Sequence, residues 1–316
     1  MLYLVSAQFS IQENNHTMVT EFCLLGFQVS QHLRIFLFCL LLLVYHGTIC
    51  GNLLIITLVS TSKKLHTPMY FFISQLSISD ILLTTDIVPN MLHILLNNGG
   101  TISFVGCITQ FSWFSVAEGL ECFLLAVMSY DRYLAICNPL RYSSIMTNEY
   151  CVKLVVSYWL AVFFIEVIIT SSLLMLRFCG KNTIDHFFCD LVPLLEIACS
   201  GTDLVGIVVL MVGAPILVIP ITIIIVSYVN IISTILRMSS NISRQKAFST
   251  CSSHLIVVSI FYWTMFCVYL VPAKGQSSTI SKVLSLLYTV FTPFINPIIY
   301  SLRNKDFMKA MQEILF

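Results

Sequence analysis

Charged residues are scarce in this chain. Asp, Glu, Lys and Arg make up 10% of its 316 residues, whereas soluble domains usually carry roughly 25%. Hydrophobic residues make up 58%. This imbalance excludes an ordinary soluble domain and indicates a protein of the lipid bilayer. The net charge is only +1 and no basic patch is present, so nothing indicates nucleic-acid binding.

The chain also lacks the short motifs of common enzyme and metal sites. It contains no G-x-S-x-G, no H-E-x-x-H and no glycine-rich phosphate loop. We therefore predict that the protein is not an enzyme and has no catalytic residues and no structural metal. His254 lies in an apolar segment with no second metal ligand at helical spacing, so we interpret it as a side chain that makes a structural hydrogen bond.

The chain has long apolar runs instead. A helix needs about 20 mainly apolar residues to cross a bilayer. Seven segments meet this requirement, at residues 35–59, 68–96, 103–135, 152–175, 204–236, 254–271 and 280–302. We predict an all-α membrane protein with a seven-transmembrane helix bundle over residues 34–302. An extracellular segment (residues 1–33) would precede it, and a short cytoplasmic amphipathic tail (residues 303–316) would follow.

The distribution of Lys and Arg orients the predicted bundle. Eleven of these residues fall on one side of the spans and five on the other. Because cytoplasmic loops carry the excess of basic residues, we expect the N-terminus outside and the C-terminus in the cytoplasm. Two N-glycosylation sequons are present. Asn15 would face outward and is a candidate glycan site, whereas Asn241 would face the cytosol.

Five of the twelve cysteines are predicted on the outer side, where oxidising conditions favour disulfides. Four of them lie at the start of the third span or in the long connection that follows the fourth, and these are Cys107, Cys179, Cys189 and Cys199. Four cysteines allow three pairings, and the residues alone do not choose among them. A zinc site that uses these thiols with His186 is the alternative. Cys23 has no evident partner.

Residues 128–142 form the most informative segment, M-S-Y-D-R-Y-L-A-I-C-N-P-L-R-Y. It contains the acid–base pair Asp131–Arg132, and because a charge at mid-membrane costs about 2.5–3.5 kcal/mol, we expect Arg132 at the cytoplasmic boundary. Four more blocks are G-N at 51–52, L-H-T-P-M-Y-F-F at 65–72, K-A-F-S-T-C-S-S-H-L at 246–255 and P-F-I-N-P-I-I-Y-S-L-R-N at 293–304. Together these blocks closely resemble the olfactory receptors, a branch of the rhodopsin-like G-protein-coupled receptors. The resemblance covers nearly the whole chain.

The resemblance implies an odorant receptor in the plasma membrane, in olfactory cilia. Such a receptor binds small volatile, mostly apolar ligands in the outer half of the bundle. It activates a stimulatory olfactory-type G protein and raises cAMP. The resemblance also implies the disulfides Cys107–Cys189 and Cys179–Cys199. One alternative is a rhodopsin-like receptor for a non-odorant ligand, including a chemosensor outside the nose. A transporter is a remote alternative, because the repeated halves typical of transporters are absent from the sequence.

The implied odorant pocket draws on the outer halves of four spans. Its candidate residues are Phe114, Ser115, Glu118, Gly119, Val212, Ile216, Tyr262, Met265, Phe266, Tyr269, Leu286 and Thr289. Glu118 lies one helical turn from Glu121, and this spacing places both on one face. Glu118 is either a partner for a polar odorant group, such as an amine, or a protonated structural acid. Glu166 is a weaker candidate for the same role.

The implied activation residues lie near the cytoplasmic ends of the spans. They are Asp131, Arg132, Tyr133, Tyr228, Arg244, Lys246, Asn296, Pro297 and Tyr300. The wider receptor class often has an acid at the base of the sixth span, where this chain has Arg244 and Lys246. Because these bases would repel Arg132, we expect Asp131 to hold Arg132 locally. Tyr228 and Tyr300 are its expected partners after release.

Polar residues also lie in the middle of the apolar spans. Asn52, Asp80, Glu121 and Asn296 would form a water and sodium site by resemblance to the family, and Na⁺ is the only ion we expect the protein to use. The alternative is a set of protonated or neutral groups satisfied by hydrogen bonds between helices. Buried acids in a membrane usually face the bundle interior under either interpretation.

Overall fold

A computed structural model describes residues 19–180, 182–269, 278–303 and 305–315 of the chain. Within these ranges, seven helices are long and apolar enough to cross a membrane. They are α1 (Gln31–Thr61), α2 (Pro68–Asn97), α3 (Phe104–Cys137), α4 (Asn148–Leu173), α5 (Asp203–Arg237), α6 (Asn241–Tyr269) and α7 (residues 278–303). A further helix, α8, follows at Lys305–Leu315. The prediction of a seven-helix membrane bundle is confirmed.

Local sequence signals explain several helix ends. The Ser103 hydroxyl accepts a hydrogen bond from the backbone N–H of Gly106 at 3.1 Å, and Thr147 caps α4 in the same way through Tyr150. Each hydroxyl satisfies one backbone donor that a helix start leaves free. At the other end of α2, Asn98 adopts a left-handed conformation with φ of 56°. Asparagine tolerates this conformation better than most residues, so the helix stops there.

Two helices contain a single wide turn of π-helix near a proline. In α5 this turn is Val209–Gly213, before Pro215, and in α7 it is Leu287–Phe291, before Pro293. Proline removes a backbone donor, so the local hydrogen-bond ladder has to shift. Thr292 compensates in α7, because its hydroxyl donates to the carbonyl of Leu287 at 3.1 Å. The prolines therefore change the helix type locally.

The sixth span differs from its predicted start at residue 254. The helix begins at Asn241, in a segment that we expected to precede the membrane. Only Cys251–Val268 of this helix is apolar enough to span. The polar turns before Cys251 continue the helix because they lack the glycine or proline that would end it. Apolar composition therefore marks the membrane segment but misses the extension beyond it.

The helix α3 is the centre of the bundle. In its apolar segment 72% of the residues are buried, whereas the corresponding share in α5 is 11%. Large side chains such as Leu43, Phe163, Phe164 and Val226 are exposed on the outer surface of the bundle. Lipid tails are the natural environment for such residues.

A small sheet covers one end of the bundle. Strand β1 (Glu21–Leu24) pairs antiparallel with β2 (Gly100–Ser103) and parallel with β3 (Thr183–Ile184). The long connection that contains β3 is joined to the top of α3 by the disulfide Cys107–Cys189, and a second disulfide links Cys179 to Cys199. These bonds leave no thiol among the four for the alternative zinc site. The residues before 19, including Asn15, lie outside the described ranges.

The covering loop is also anchored to α7. The ammonium of Lys282 donates to the carbonyl of Gly26 at 2.8 Å and to Asp185 at 2.5 Å. Beside it, His186 is buried, and this burial together with the positive charge of Lys282 lowers the pKa of His186 to about 3 despite the opposing effect of Asp185. His186 is therefore neutral at physiological pH. Loop, N-terminal strand and α7 form one connected unit.

The opposite end of the bundle is closed by α8. Phe307 is buried and meets the ring of Tyr70 edge to face, with ring centroids 5.2 Å apart. Lys64, after α1, forms an ion pair with Glu313 of α8. The short helix Pro139–Ile145 follows α3 at the same end. The first two contacts hold α8 against the start of α2 and the segment after α1, at the end of the bundle where α3 ends.

Candidate functional site

Arg132 at the foot of α3 is held by its neighbour in the sequence. Its Nε and Nη2 atoms lie 3.0 and 2.5 Å from Oδ2 of Asp131. The hydroxyl of Tyr142 donates to the other carboxylate oxygen at 2.8 Å. Asp131 is fully buried, so its charge is satisfied from both sides. In this state Arg132 is bound within its own turn of the helix.

Tyr142 is the partner that sequence reasoning missed. It lies in the short helix after α3, eleven residues from Asp131. Burial, and then the nearby carboxylate of Asp131, raises the pKa of the Tyr142 phenol above its ordinary value. The phenol therefore remains protonated and keeps its role as donor. The available signal was the sequence N-P-L-R-Y, which starts a new helix and returns toward α3.

A second contact joins α5 to α6 just above this foot. The hydroxyl of Tyr228 and Nδ1 of His254 lie 2.8 Å apart and share a hydrogen bond, and the two rings stack at an angle of 14°. The same hydroxyl lies 3.4 Å from the carbonyl oxygen of Cys251. Both side chains are buried. His254 therefore makes a structural hydrogen bond, and its partner Tyr228 is the residue we expected to contact Arg132 only after release.

The other predicted activation residues surround these two contacts. Tyr300 is buried, and its hydroxyl has no hydrogen-bond partner among the described residues. Tyr133 accepts a hydrogen bond from Asn138 at 3.1 Å, and Arg244 donates to the carbonyl of Met238 at 2.8 Å. Pro297 packs against the position of Gly51, where an added Cβ would lie 3.1 Å from the proline ring. The side chain of Lys246 lies outside the described part of the structure.

The four polar residues in the middle of the bundle divide into two contacts. The amide of Asn296 donates to both carboxylate oxygens of Asp80, at 3.2 and 3.1 Å, and the carboxyl of Glu121 is close enough to Asp80 to interact with it. The amide of Asn52 instead bridges to the carbonyls of Thr48 and Pro293, at 3.0 and 3.2 Å. Two oxygens, Oδ1 of Asn52 and Oε1 of Glu121, have no partner within the described residues. Asp80, Glu121 and Asn296 thus form one buried polar cluster.

The predicted pocket residues of α3 lie beneath the covering loop. Phe114 is buried, and its ring centroid lies 5.1 Å from that of Phe188 and 6.0 Å from that of Tyr288. Ser115 is half-buried. An added Cβ at Gly119 would lie 3.1 Å from Val162 and 3.5 Å from Ile216, so a side chain at this position would crowd Val162.

The remaining pocket candidates come from α5, α6 and α7. Val212 and Ile216 are half-buried, whereas Met265, Leu286 and Thr289 are buried. The hydroxyl of Tyr262 donates to the carbonyl of Cys122 on α3 at 3.3 Å. This hydrogen bond ties α6 to α3 at the level of the pocket. The side chain of Tyr269 lies outside the described residues.

Phe266 was wrongly included in the pocket. Its side chain is 48% exposed and its ring stacks on Trp263, which is 68% exposed, with centroids 5.9 Å apart. The two residues are three positions apart, so they lie on the same face of α6. That face points to the membrane. Aromatic character alone did not distinguish this face from the one that carries Tyr262 and Met265.

Three acidic side chains meet near the top of α3. Glu118 lies close enough to Asp190 and Glu166 to interact electrostatically with both, and its Oε1 atom has no hydrogen-bond partner among the described residues. Glu166 accepts a hydrogen bond from Thr170 at 2.9 Å. Sequence reasoning named the two glutamates and missed Asp190. The position of Asp190 directly after Cys189 was the available signal, because the disulfide brings it to α3.

Comparison with known proteins gives a consistent result. The family model described as "Olfactory receptor" matches residues 38–316. The chain is 45% identical to mouse olfactory receptor 5P60 over 96% of its own length and 95% of that protein. It is 45% identical to mouse olfactory receptor 5AP2, over 99% and 98% of the two chains, and 46% identical to human olfactory receptor 10A7, over 95% of each. With the seven-helix bundle and the arginine at the foot of α3, these matches show that the chain belongs to the olfactory receptor family of G-protein-coupled receptors.

Proposed function

We propose that this odorant receptor binds its ligands in the outer half of the bundle and couples to the stimulatory olfactory-type G protein, which raises cAMP. Membership of the family carries the general activity of odorant detection and G-protein coupling. The closed foot around Arg132 is the observation that supports the coupling step. The residues around it lie at the end of the bundle that the Lys and Arg distribution assigns to the cytoplasm.

Ligand binding is proposed beneath the covering loop. Phe114, Met265 and Leu286 supply buried apolar surface, and burial of apolar area would supply most of the affinity. Glu118 supplies a carboxyl oxygen without a hydrogen-bond partner. An odorant with an amine or hydroxyl group could bond this oxygen, and the nearby Glu166 and Asp190 would favour positive charge. We therefore expect the strongest ligands to be small apolar amines or alcohols.

Activation is proposed to be a shift between two populations. A ligand biases the receptor only through its differential affinity for the two states. Opening would separate Tyr228 from His254, release Arg132 from Asp131, and create a groove for a helix of the G-protein α subunit. The unpaired hydroxyl of Tyr300 is then available to the released arginine. In the orientation that the Lys and Arg distribution favours, the N-terminus and the covering loop would lie outside the cell.

Sodium is proposed as an allosteric ion in the polar middle of the bundle. The carboxylates of Asp80 and Glu121 are hard oxygen ligands of the kind that such cations prefer, and Oε1 of Glu121 has no other partner within the described residues. The Asn296 amide would orient Asp80. The ion would stabilise the closed packing of α2, α3 and α7, and its removal would favour opening.

A cAMP assay tests this proposal. The receptor is expressed with its olfactory G protein and exposed to a chemically diverse odorant panel, beside an Arg132→Ala variant whose surface amount is verified. We expect odorant-dependent cAMP responses from the wild type and none from the Arg132→Ala variant. Glu118→Gln should weaken the response to amines more than the response to uncharged ligands. An Arg132→Ala receptor that responds normally would contradict the coupling role. Unchanged ligand selectivity in Glu118→Gln would contradict the pocket role.

A further inference from the structure

A cavity of about 310 Å³ lies between α3 and α5, on the outer surface of the bundle near the foot of α3. Tyr130 and Tyr133 of α3 form one wall, and α5 forms the other. The α5 residues Val226 and Asn230 line it and are exposed on the surface of the bundle. Because this surface faces lipid, the cavity opens into the membrane. It shares no lining residue with the proposed odorant pocket.

The lining of the cavity carries hydroxyl groups from both α3 and α5. Ser227 is only 4% exposed and lines the cavity together with Tyr130 and Tyr133. The Tyr133 oxygen accepts from Asn138, so its own proton is free to be donated. A hydroxyl in hydrocarbon gains from each hydrogen bond that it makes, and a ligand can supply one.

The lining defines the chemistry of the occupant. No charged side chain is among the lining residues, so an ion would gain nothing there. The rings of Tyr130 and Tyr133 stack at 27° with centroids 6.1 Å apart, and they present aromatic surface to an apolar body. The hydroxyls match a ligand group that both donates and accepts. Small-ligand pockets begin at about 300 Å³, so this cavity suits only a small molecule.

The position of the cavity couples it to both closed contacts. Tyr130 and Tyr133 flank Asp131 and Arg132 in the sequence, and Ser227 is adjacent to Tyr228, which bonds His254. The cavity exists in a structure in which both contacts are closed. An occupant that bridges α3 and α5 therefore stabilises this arrangement relative to one in which α5 has moved.

We propose that this cavity is an allosteric site for a small uncharged alcohol or phenol, which enters from the bilayer and favours the closed state of the receptor. This site is independent of the odorant pocket and of the identity of the G protein. The ligand could be a membrane component or an added compound, and both would present the same apolar body and single hydroxyl.

Photolabelling tests the site directly. The purified full-length receptor in phosphatidylcholine nanodiscs is irradiated with 3-azioctanol, a photoreactive octanol, and the labelled residues are identified by mass spectrometry. We expect label on the segments that carry Tyr130, Tyr133 and Ser227, and competition by excess 1-octanol. Ser227→Ala removes one hydrogen bond of about 1 kcal/mol, so it should weaken probe binding about fivefold.

A matched pair of variants controls for membrane partitioning. Val226→Trp fills the mouth of the cavity and should abolish the label, whereas Val229→Trp, on the same exposed surface but outside the lining, should leave it unchanged. Label spread evenly over lipid-facing residues, or equal label in the two variants, would overturn the site. Competition by 1-octanol identifies an alcohol, and competition by added phospholipid alone would overturn that chemistry.

The predicted direction of the effect has its own readout. Cys251 is buried beside Tyr228, so we expect an opening of α6 to expose it to thiol reagents. We expect 1-octanol to slow modification of Cys251 by N-ethylmaleimide in the wild type and in Val229→Trp. The extent of modification is measured on the peptide that contains Cys251. No slowing is expected in Val226→Trp. Faster modification, or equal slowing in both variants, would overturn the claim that the occupant favours the closed state.

Discussion

The contact between Tyr228 and His254 should set the basal activity of the receptor. His254→Phe keeps an aromatic ring stacked on Tyr228 but removes the hydrogen bond at 2.8 Å. A neutral hydrogen bond contributes about 1 kcal/mol. The Tyr228 hydroxyl retains only the longer contact with the carbonyl of Cys251, at 3.4 Å. The closed state should lose about 1 kcal/mol, which raises the ratio of open to closed receptors about fivefold.

The assay is agonist-independent cAMP, normalised to the amount of receptor at the surface. Tyr158→Phe is the matched control, because the buried Tyr158 hydroxyl has no hydrogen-bond partner among the described residues and lies on α4. We expect a rise in basal cAMP for His254→Phe and none for the control. An unchanged or lower basal signal, from a variant with normal surface expression, would refute the role of this contact in holding α6 closed.

Three further predictions follow from buried polar groups. Tyr142→Phe removes one of the bonds to Asp131, a loss of about 1 kcal/mol, and should raise basal cAMP about fivefold if this bond is made only in the closed state. Asn296→Ala leaves the Asp80 carboxyl without its amide partner, which should cost about 1–3 kcal/mol and lower the melting temperature. His186 is buried and neutral with a pKa of about 3, whereas an unfolded histidine takes up a proton below about pH 6.5. The stability that comes from burying neutral His186 is therefore complete above that pH and is lost as the pH falls toward the folded-state pKa. The melting temperature should fall on acidification, and it should fall less in His186→Phe.

Each of these has a result that would count against it. Basal cAMP in Tyr142→Phe that equals the wild type would mean that this phenol does not help to hold Asp131. An Asn296→Ala receptor with an unchanged melting temperature would show that Asp80 finds another partner. If His186→Phe and the wild type lose stability equally on acidification, other groups must carry the pH dependence.

The sequence was sufficient for the features that depend on local composition. Apolar runs located the seven spans, and the adjacent positions of Asp131 and Arg132 in the chain made their ion pair predictable. The structure joins the same cysteine pairs that the family resemblance implies. Each of these features can be recognised either from one segment of the chain or from one family pattern.

Features that depend on packing between distant segments were missed. The pairing of β1 with β2 and β3 joins residues that are far apart in the chain and carry no strong strand pattern. Tyr142 and Asp190 reach α3 only because a turn and a disulfide return the chain to it. Phe266 faces lipid because of the rotation of α6 about its axis. In a membrane, apolar side chains suit both the lipid face and the interior, so hydrophobicity does not reveal this rotation.

The central claim is that an odorant opens a foot that is closed in the free receptor. Pulsed electron paramagnetic resonance would report the distance between the ends of α3 and α6. The spin labels would be carried by noncanonical amino acids at Arg141, after α3, and at Gln245, at the start of α6. We predict a single short distance in the free receptor, with a longer population added by an active odorant and by His254→Phe. The same distance distribution in all three samples would contradict the claim.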